Sequence, residues 1–336
     1  EMCIRVREYP MIFGGFVMAL RANKLLSKFL FYYLRLEFLL GRFRGESTQT
    51  TNIANISSSV LGEYTFPLPP LSEQQRIVER IEELFAKLDE AKERLQEVAE
   101  SFAVRKAAIL HKAFTGELTK QWRRENGVSD ESWEERLLGD VCTVNPKKID
   151  AKNLDDNLEV SFVPMAAVSD VLGEIVNHEV KNLQDVRTGF TNFSKGDVIF
   201  AKITPCMENG KSAIVGTLVN DIGYGSTEFY VLRCKEELNN KYLYHMVRNT
   251  TFRAEAKAVM TGAVGQQRVP KTFLQEYQLL LPSLPEQHEI VRLIDDLLAR
   301  ERSVQQAAEQ ALASIDLMKK SILARAFRGE LGTNKA

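Results

Sequence analysis

The chain has 336 residues, 44% of them hydrophobic and 26% charged, and its 44 Lys and Arg residues against 45 Asp and Glu residues give a net charge of −1. This composition excludes wholesale disorder, and the sequence contains no run of eighteen uncharged apolar residues that would predict a membrane-spanning helix. The near-neutral total also argues against a uniformly basic nucleic-acid-binding protein.

Residues 1–67 are the first predicted segment, and they carry 8 basic against 5 acidic residues, a balance of +3. Arg42 and Arg44 precede a stretch rich in Gln, Asn and Thr that includes Gln49 and Asn52. Basic and amide side chains are the types that contact DNA phosphates and base edges. A polar loop of this kind is therefore a candidate contact with DNA.

A long amphipathic helix is predicted within residues 68–120. Ser72, which follows a proline-rich stop and precedes Gln75 by three residues, is typical of a capping box. Apolar residues then recur at alternating spacings of three and four from Ile81 to Ile109, interrupted only by Arg105. Since no proline or glycine occurs in residues 71–115, we expect one helix of about 40 residues and about 60 Å.

Residues 121–280 lack the heptad pattern and predict an α+β domain. Residues 197–203 and 227–232 are β-branched and aromatic runs bounded by turn formers, which is typical of strands. Residues 241–259 have a helical pattern, and residues 274–281 are again strand-like.

A second long helix is predicted within residues 281–331, where the same seam runs from Ile294 to Ile322. One long amphipathic helix cannot bury its apolar stripe alone, so the two helices most simply pair with each other. The intervening domain is large enough to return the second helix antiparallel to the first. Two unconnected surface helices, or pairing between chains, remain alternatives.

The two helical segments are copies of each other at an offset of 213 residues. Residues 68–74 return as 281–287, residues 113–118 return as 326–331, and 19 of the 51 aligned positions between these markers are identical. Two large copies imply pseudo-twofold symmetry, which suits a target with two half-sites. Because only 67 residues precede the first copy, the arithmetic predicts a shortened chain that lacks roughly 80 residues at its front.

Charge and loop chemistry indicate which parts of the chain could meet DNA. Residues 125–186 carry 5 basic against 14 acidic residues, a balance of −9, whereas residues 187–271 carry 12 against 7, a balance of +5. In the loop of residues 261–268, glycines allow close backbone approach, glutamine can read adenine, and arginine can read guanine or bind phosphate. Its counterpart in the first copy is residues 47–52. Ordinary solvated basic residues and a structural turn are the alternatives.

Catalytic and metal-binding patterns do not emerge from the sequence. The four cysteines form no C-x-x-C pair and the four histidines form no H-x-x-x-H spacing, so the cysteines are expected to be reduced thiols in a cytoplasmic protein. We find no G-x-G-x-x-G and no G-x-S-x-G motif. We therefore expect a protein without catalytic residues, metal or cofactor.

The order of these segments resembles the DNA specificity subunit of type I restriction-modification enzymes, apart from a missing N-terminal part of the first target-recognition domain. The resemblance rests on the duplicated markers named above, together with residues 200–205 and 226–231. It implies an α+β protein with two α/β target-recognition domains, the first incomplete, linked by two long helices that pair as an antiparallel coiled coil with a pseudo-twofold internal repeat. The segments would be 1–67 (C-terminal part of the first recognition domain), 68–120 (central conserved helix), 121–280 (second recognition domain) and 281–331 (distal conserved helix).

The resemblance also implies the role and the partners. Each recognition domain would read one half of a bipartite sequence in double-stranded DNA, with the helices as spacer. The chain would itself be non-catalytic, with no membrane association. It would dock two modification subunits, which carry the methylation chemistry, and restriction subunits that act as motor and nuclease.

The residues expected to contact DNA are basic, amide and hydroxyl side chains in the predicted loops. In the second recognition domain they are Lys202, Thr204, Lys211, Ser226, Gln266, Gln267, Arg268 and Lys271, and in the first they are Arg42, Arg44, Gln49 and Asn52. Two alternatives remain open. The chain could be a coiled-coil scaffold whose globular domains bind proteins, or a fragment of a single-chain methyltransferase or nuclease.

Overall fold

The structure is a computed structural model that describes residues 18–44, 48–50, 53–151 and 153–333; for residues 44, 48–50 and 53–55 it describes the backbone alone. The chain divides into two compact units. Unit 1 comprises residues 1–101 and 303–336, and unit 2 comprises residues 102–302.

Unit 1 is mainly helical. Its elements are α1 (Ser27–Leu39), β1 (Thr48–Thr50), β2 (Ile53–Asn55), α2 (Ser58–Gly62) and α3 (Leu71–Glu100), together with the C-terminal half of a long helix described below. Strands β1 and β2 form an antiparallel pair in which Gln49 lies opposite Ala54.

The core of unit 1 lies between α1, α3 and residues 322–331. Phe29, Ile81 and Leu323 are each at most 1% exposed, and the rings of Phe29 and Phe327 pack edge to face with their centroids 5.2 Å apart. An ion pair between Lys319 and Asp89 lies beside this core. These contacts bury α3 from Ile77 to Phe85, whereas the predicted apolar stripe beyond Ile81 is only half-buried.

Unit 2 contains most of the strands. Its helices are α4 (Phe102–Phe114), α5 (Lys120–Glu125), α6 (Leu138–Val141), α7 (Leu183–Val186), α8 (Asn240–Arg248), α9 (Thr250–Ala258), α10 (Lys271–Glu276) and the first half of α11 (Leu284–Phe327), whose second half belongs to unit 1. Its strands are β3 (Glu134–Leu137), β4 (Cys142–Val144), β5 (Glu159–Val163), β6 (Glu179–Asn182), β7 (Thr191–Phe193), β8 (Val198–Ala201), β9 (Ser212–Ile214), β10 (Gly223–Gly225), β11 (Phe229–Cys234) and β12 (Gln278–Leu281).

These strands form two four-stranded sheets and a two-stranded ribbon. The sheet orders are β6-β5-β10-β7 and β4-β11-β8-β9, and the ribbon pairs β12 with β3. Only β5 and β10 run parallel among the described strands. One core includes Phe193, Ile199 and Phe229, while a larger core joins Phe200 of β8 to helices α4, α8 and α11.

The structure confirms an α+β fold and corrects several local predictions. The first long helix is interrupted at Ser101, so α3 and α4 are separate elements, whereas α11 is continuous over 44 residues. The prediction of a capping box at Ser72 is wrong. Helix α3 begins at Leu71, because the carbonyl of Pro70 already accepts hydrogen bonds from the backbone NH groups of the following turn and the proline has the φ that a helix start needs.

The predicted strands at 197–203 and 227–232 are β8 and β11, which pair antiparallel with Phe200 opposite Tyr230. The helical segment 241–259 is two helices, divided at Asn249, whose side chain caps α9. Residues 274–281 are only partly a strand, because α10 continues to Glu276. The segment boundaries at 67, 120 and 280 remain predictions.

Among the described residues, every helix is too short or too polar to cross a lipid bilayer.

Candidate nucleic-acid interface

The loop of residues 261–268 is a small, well-defined projection of unit 2. Thr261 and Arg268 form an antiparallel bridge, with backbone N···O distances of 3.0 and 2.8 Å. Gly262 and Gly265 have φ values of 123° and 81°, a region that favours glycine. At the tip of the loop, Val264 is 99% exposed. The loop therefore resembles a hairpin closed by the bridge between Thr261 and Arg268, and it exposes an apolar side chain to solvent.

Arg268, whose side chain is partly exposed, anchors this loop through its guanidinium group. Its Nε and Nη2 donate to the carboxylate of Glu228 at 3.0 and 2.7 Å, and its Nη1 donates to the carbonyl of Gln266 at 2.9 Å. The hydrogen bonds from Arg268 lower the pKa of Glu228, so the pair is ionised at neutral pH. The predicted DNA contact at Arg268 is thus already paired with a carboxylate in this structure.

Three further predicted residues lie around the same anchor. The hydroxyl of Thr204 accepts a hydrogen bond from the backbone NH of Gln267 at 3.1 Å, and the NH of Thr204 donates to the carbonyl of Gln267 at 3.0 Å. The ammonium of Lys202 lies 5.3 Å from the centroid of the Tyr230 ring. Residues 202–204 therefore lie against the loop and support it.

The remaining predicted residues of unit 2 are more scattered. The hydroxyl of Ser226 accepts from the backbone NH of Glu228 at 3.2 Å and so supports the anchoring carboxylate. The ammonium group of Lys211 donates to the carbonyl of Met165 at 3.2 Å. Gln266 and Lys271 are exposed, the latter at the start of α10.

The structure describes only some of the residues that are predicted to contact DNA in the first copy. Arg42 forms an ion pair with Glu37 at 3.0 Å, and Glu37 is buried. The backbones of Arg44 and Gln49 are described, with Gln49 in β1, whereas Asn52 lies outside the described residues. Whether these residues share a surface therefore stays a prediction.

Sequence reasoning missed a second group of basic side chains in unit 2. Lys106 of α4 is half-buried, and burial together with three neighbouring guanidinium groups lowers its pKa to about 8. These guanidinium groups belong to Arg248, Arg253 and Arg302. We call the four residues the Lys106 cluster.

Two arginines of the Lys106 cluster are held in place by the protein. Arg248 is 8% exposed and donates to the carbonyls of Gly210 and Asp170 at 2.8 and 2.7 Å. Arg253 donates from Nη1 to the carbonyl of Glu208, whereas its Nε is buried and has no hydrogen-bond partner among the described residues. A buried, unpaired charge-bearing nitrogen is costly, which makes this group a candidate for binding an anion.

The lysine of unit 1 that corresponds to Lys106 is neutralised by an acidic side chain. Lys106 aligns with Lys319 at the offset of 213, and Arg302 aligns with Asp89. Lys319 pairs with the carboxylate of Asp89 and lies 5.2 Å from the centroid of the Phe85 ring. In unit 2 an arginine therefore replaces the acidic partner. Aligning the two copies could have revealed this change from acid to base in the sequence.

In the described part of the chain, no three His, Cys, Asp or Glu residues come together as a metal site. The one buried histidine, His245, hydrogen-bonds to Asp295 at 3.1 Å, and burial lowers the pKa of its imidazole. This pair joins α8 to α11 and belongs to the packing of unit 2.

Comparison with known proteins identifies related sequences. The family model for the type I restriction modification DNA specificity domain matches residues 3–100 and 130–311. The chain is 37% identical over 187 residues to the type I restriction enzyme EcoAI specificity subunit of Escherichia coli, which covers 55% of this chain and 31% of that relative. It is 26% identical over 330 residues to the StySPI specificity subunit of Salmonella potsdam, with 95% of this chain and 69% of the relative covered.

The chain thus matches less than a third of the length of the EcoAI relative. Among solved structures, a chain from a study of complex assembly and conformational transition of the type I R-M system aligns with a TM-score of 0.64 at 20% identity, over 92% of this chain and 73% of that one. The HsdS subunit from Thermoanaerobacter tengcongensis aligns with a TM-score of 0.61 at 20% identity, over 90% and 70% of the two chains. At this identity the two alignments establish a shared fold.

Proposed function

Because the chain belongs to the family of the type I restriction modification DNA specificity domain, we propose that it is the sequence-specific DNA-recognition subunit of a type I restriction-modification complex. The observation that carries the proposal is the anchored loop of residues 261–268, which presents Val264 and Gln266 to solvent from the basic segment 187–271. As part of this proposal, the protein acts in the cytoplasm.

In this proposal, unit 2 reads one half of the target with the loop tip. An exposed amide such as that of Gln266 pairs with adenine in the major groove, and an apolar side chain such as Val264 contacts a thymine methyl group. Arg268 and Glu228 keep the loop rigid, so little entropy is lost on binding. Lys271, which is exposed, and Lys202, which is half-buried beside the Tyr230 ring, contribute phosphate contacts.

The Lys106 cluster supplies a further phosphate contact. Among the described residues, no carboxylate pairs with Lys106 as Asp89 does with Lys319, and phosphate oxygens would provide the missing negative charge. Phosphate contacts of this kind raise affinity without reading sequence and make binding depend on salt concentration.

The long helices form the spacer between the two recognition domains, paired as an antiparallel coiled coil. Two ion pairs support this arrangement. Within unit 1, Lys319 of α11 pairs with Asp89 of α3, and within unit 2, Glu301 of α11 pairs with Arg105 of α4.

Matched hydrogen bonds support the pseudo-twofold repeat. Gln74 accepts from the NH of Leu26 at 2.9 Å, and Gln287, 213 positions later, accepts from the NH of Asn239, which itself lies 213 positions after Leu26. Each glutamine also donates to a proline carbonyl, that of Pro69 or Pro282, at 2.8 Å. In both copies, a buried glutamine side chain thus makes the same two hydrogen bonds.

The partners follow from the family and are part of the proposal. Modification subunits, two per chain, dock on the subunit and carry the methylation chemistry, and restriction subunits join for cleavage. The specificity subunit contributes recognition and no catalysis, and it requires no cofactor of its own.

The loop can be tested by substituting its two exposed tip residues in the complex. We expect Gln266→Ala and Val264→Ser each to weaken binding to the preferred duplex by about 1–3 kcal/mol while leaving binding to unrelated DNA unchanged. Lys120→Ala, on α5 and outside the loop, is the control. Equal affinities of all three variants for the preferred duplex would remove the loop from the DNA-reading surface.

A further inference from the structure

Residues 145–149 of unit 2, which we call the Asn145 segment, connect the two four-stranded sheets and are fixed at both ends. At the first end, the backbone NH of Asn145 donates to the carbonyl of Val231 in β11 at 2.7 Å, and its side-chain carbonyl accepts from the NH of Val231 at 3.0 Å. At the second end, the NH of Ile149 donates to the side-chain carbonyl of Asn192 in β7 at 3.1 Å. Two asparagine side chains therefore hold this short segment in place.

The backbone of the Asn145 segment is also restricted. Asn145 has a φ of 53°, which asparagine adopts more readily than most residues, and the ring of Pro146 fixes the next φ. The second anchor is itself held, because Asn192 is 7% exposed and its amide nitrogen donates to the carbonyl of Gly223 at 2.9 Å. A segment whose backbone is already fixed loses little backbone entropy when its side chains bind a ligand.

Two lysines, Lys147 and Lys148, lie between the anchors, and both are exposed. Among the described residues, neither of them forms an ion pair. Asp150 follows the second anchor, so residues 145–150 carry two basic residues against one acidic residue, a balance of +1. The Asn145 segment thus places positive charge on a part of the chain that is otherwise acidic.

The Asn145 segment lies at the end of the sheet that supports the loop of residues 261–268. Strands β4 and β8 pair antiparallel with β11, one on each side of it, so the chain leaves both strands where β11 begins. Lys202 directly follows β8, and Glu228, which holds Arg268 of the loop, directly precedes β11. The Asn145 segment and Lys202 therefore lie on opposite sides of the anchor of the loop.

The other end of this sheet has the opposite balance of charge. Within three residues of the strand ends, the exposed charged side chains at that end are those of Asp140, Glu236, Glu237, Lys195 and Lys235. Three carboxylates against two ammonium groups do not attract a polyanion. Of the two ends of the sheet, the one with the Asn145 segment and the loop is therefore suited to DNA.

We propose that Lys147 and Lys148 bind the phosphate backbone on one side of the DNA groove that the loop enters, while Lys202 binds the backbone on the other side. This inference rests on the proposed function and extends its binding surface. Because neighbouring strands lie about 4.8 Å apart, β4 and β8 are separated by roughly 10 Å. The major groove is about 12 Å wide and has phosphates along both borders, so side chains from these two strand ends match it.

The test uses the chain assembled with its modification subunits, a fluorescent duplex carrying the sequence that the complex methylates, and an unrelated duplex of equal length. We expect Lys147→Gln combined with Lys148→Gln to weaken binding to both duplexes about tenfold and to lower the slope of log affinity against log salt by about 2, because two phosphate contacts are lost. The ratio of the two affinities should not change, since phosphate contacts carry no sequence information. Replacing both lysines by arginine should preserve binding.

The matched control is Lys195→Gln combined with Lys235→Gln, which removes two exposed lysines from the other end of the same sheet and changes the net charge equally. The control should keep the affinity and slope of the parent. An unchanged slope in the variant of the Asn145 segment, or an equal loss in the control, would overturn the inference. A parent complex that bound both duplexes equally would contradict the proposed function instead, and the salt slopes would still decide the role of the two lysines.

Discussion

The side-chain carbonyl of Gln287 accepts a hydrogen bond from the backbone NH of Asn239 at 2.8 Å, and through it the start of α11 is joined to the start of α8. The amide nitrogen of Gln287 donates to the carbonyls of Pro282 and Glu237 at 2.8 and 2.9 Å. The fully buried side chain of Gln287 thus satisfies three backbone groups at once.

We predict that Gln287→Met, which keeps the size of the side chain but removes these hydrogen bonds, lowers the free energy of unfolding by about 2–4 kcal/mol. The exposed Gln310→Met on the same helix is the control and should change stability by less than about 0.5 kcal/mol. Urea unfolding followed by circular dichroism measures both. Equal stabilities of the two variants would show that the buried amide has no structural role.

The second prediction concerns the buried ion pair of Arg123 and Glu286, whose side chains are 6% and 0% exposed. Arg123→Met should destabilise the protein by about 3–5 kcal/mol, because it leaves a buried carboxylate without its cation. Adding Glu286→Gln should recover part of this loss, since the uncompensated charge is then removed. Strictly additive effects in the double-mutant cycle would contradict the pairing.

The sequence predicted these helices well because their signals are local. Apolar spacing located α11, and the span of α3 and α4 as one helix, to within a few residues, and the glycines of the repeated markers, Gly116 and Gly329, follow the helix ends with φ values of 78° and 74°. The interruption at Ser101 has no comparable signal, since no proline or glycine marks it.

The third prediction is a pH dependence of stability. The pKa of Lys106 falls from its ordinary 10.5 to about 8 in the folded protein, so the unfolded chain binds more protons between these values and stability should rise as the pH rises from 8 toward 10.5. Lys106→Met removes this dependence and, at pH 7, should raise the free energy of unfolding by about 1–2 kcal/mol after allowance for solvent screening. Parallel urea titrations at pH 7.5 and 9.5 test this, and a constant difference between parent and variant would contradict it.

The fourth prediction links the Lys106 cluster to DNA. Although Lys106→Met stabilises the free protein, it should weaken binding to duplex DNA and reduce the slope of log affinity against log salt by about 1, as the loss of one phosphate contact does. Lys319→Met is the matched control, because that lysine is already neutralised by Asp89. If both variants bound DNA with the same slope as the parent, the cluster would have no contact with phosphate.

The DNA-binding residues were harder to predict than the helices, and the reason is physical. Residue type and loop position selected Arg268 but could not show that Glu228, 40 positions away, already pairs with it. The Lys106 cluster draws on α4, α8, α9 and α11, so no local pattern reveals it. Side-chain charge can be read from a sequence, but its neutralisation depends on contacts that only folding brings about.

The central claim, that this chain selects a bipartite DNA target, is tested most directly by sequencing the methylated sites in DNA modified by the chain reconstituted with its modification subunits. The proposal predicts one motif of two defined halves separated by a gap of fixed length, with Gln266→Ala relaxing the bases of a single half. Methylation without a sequence motif, or a motif that persists when this chain is omitted, would contradict it.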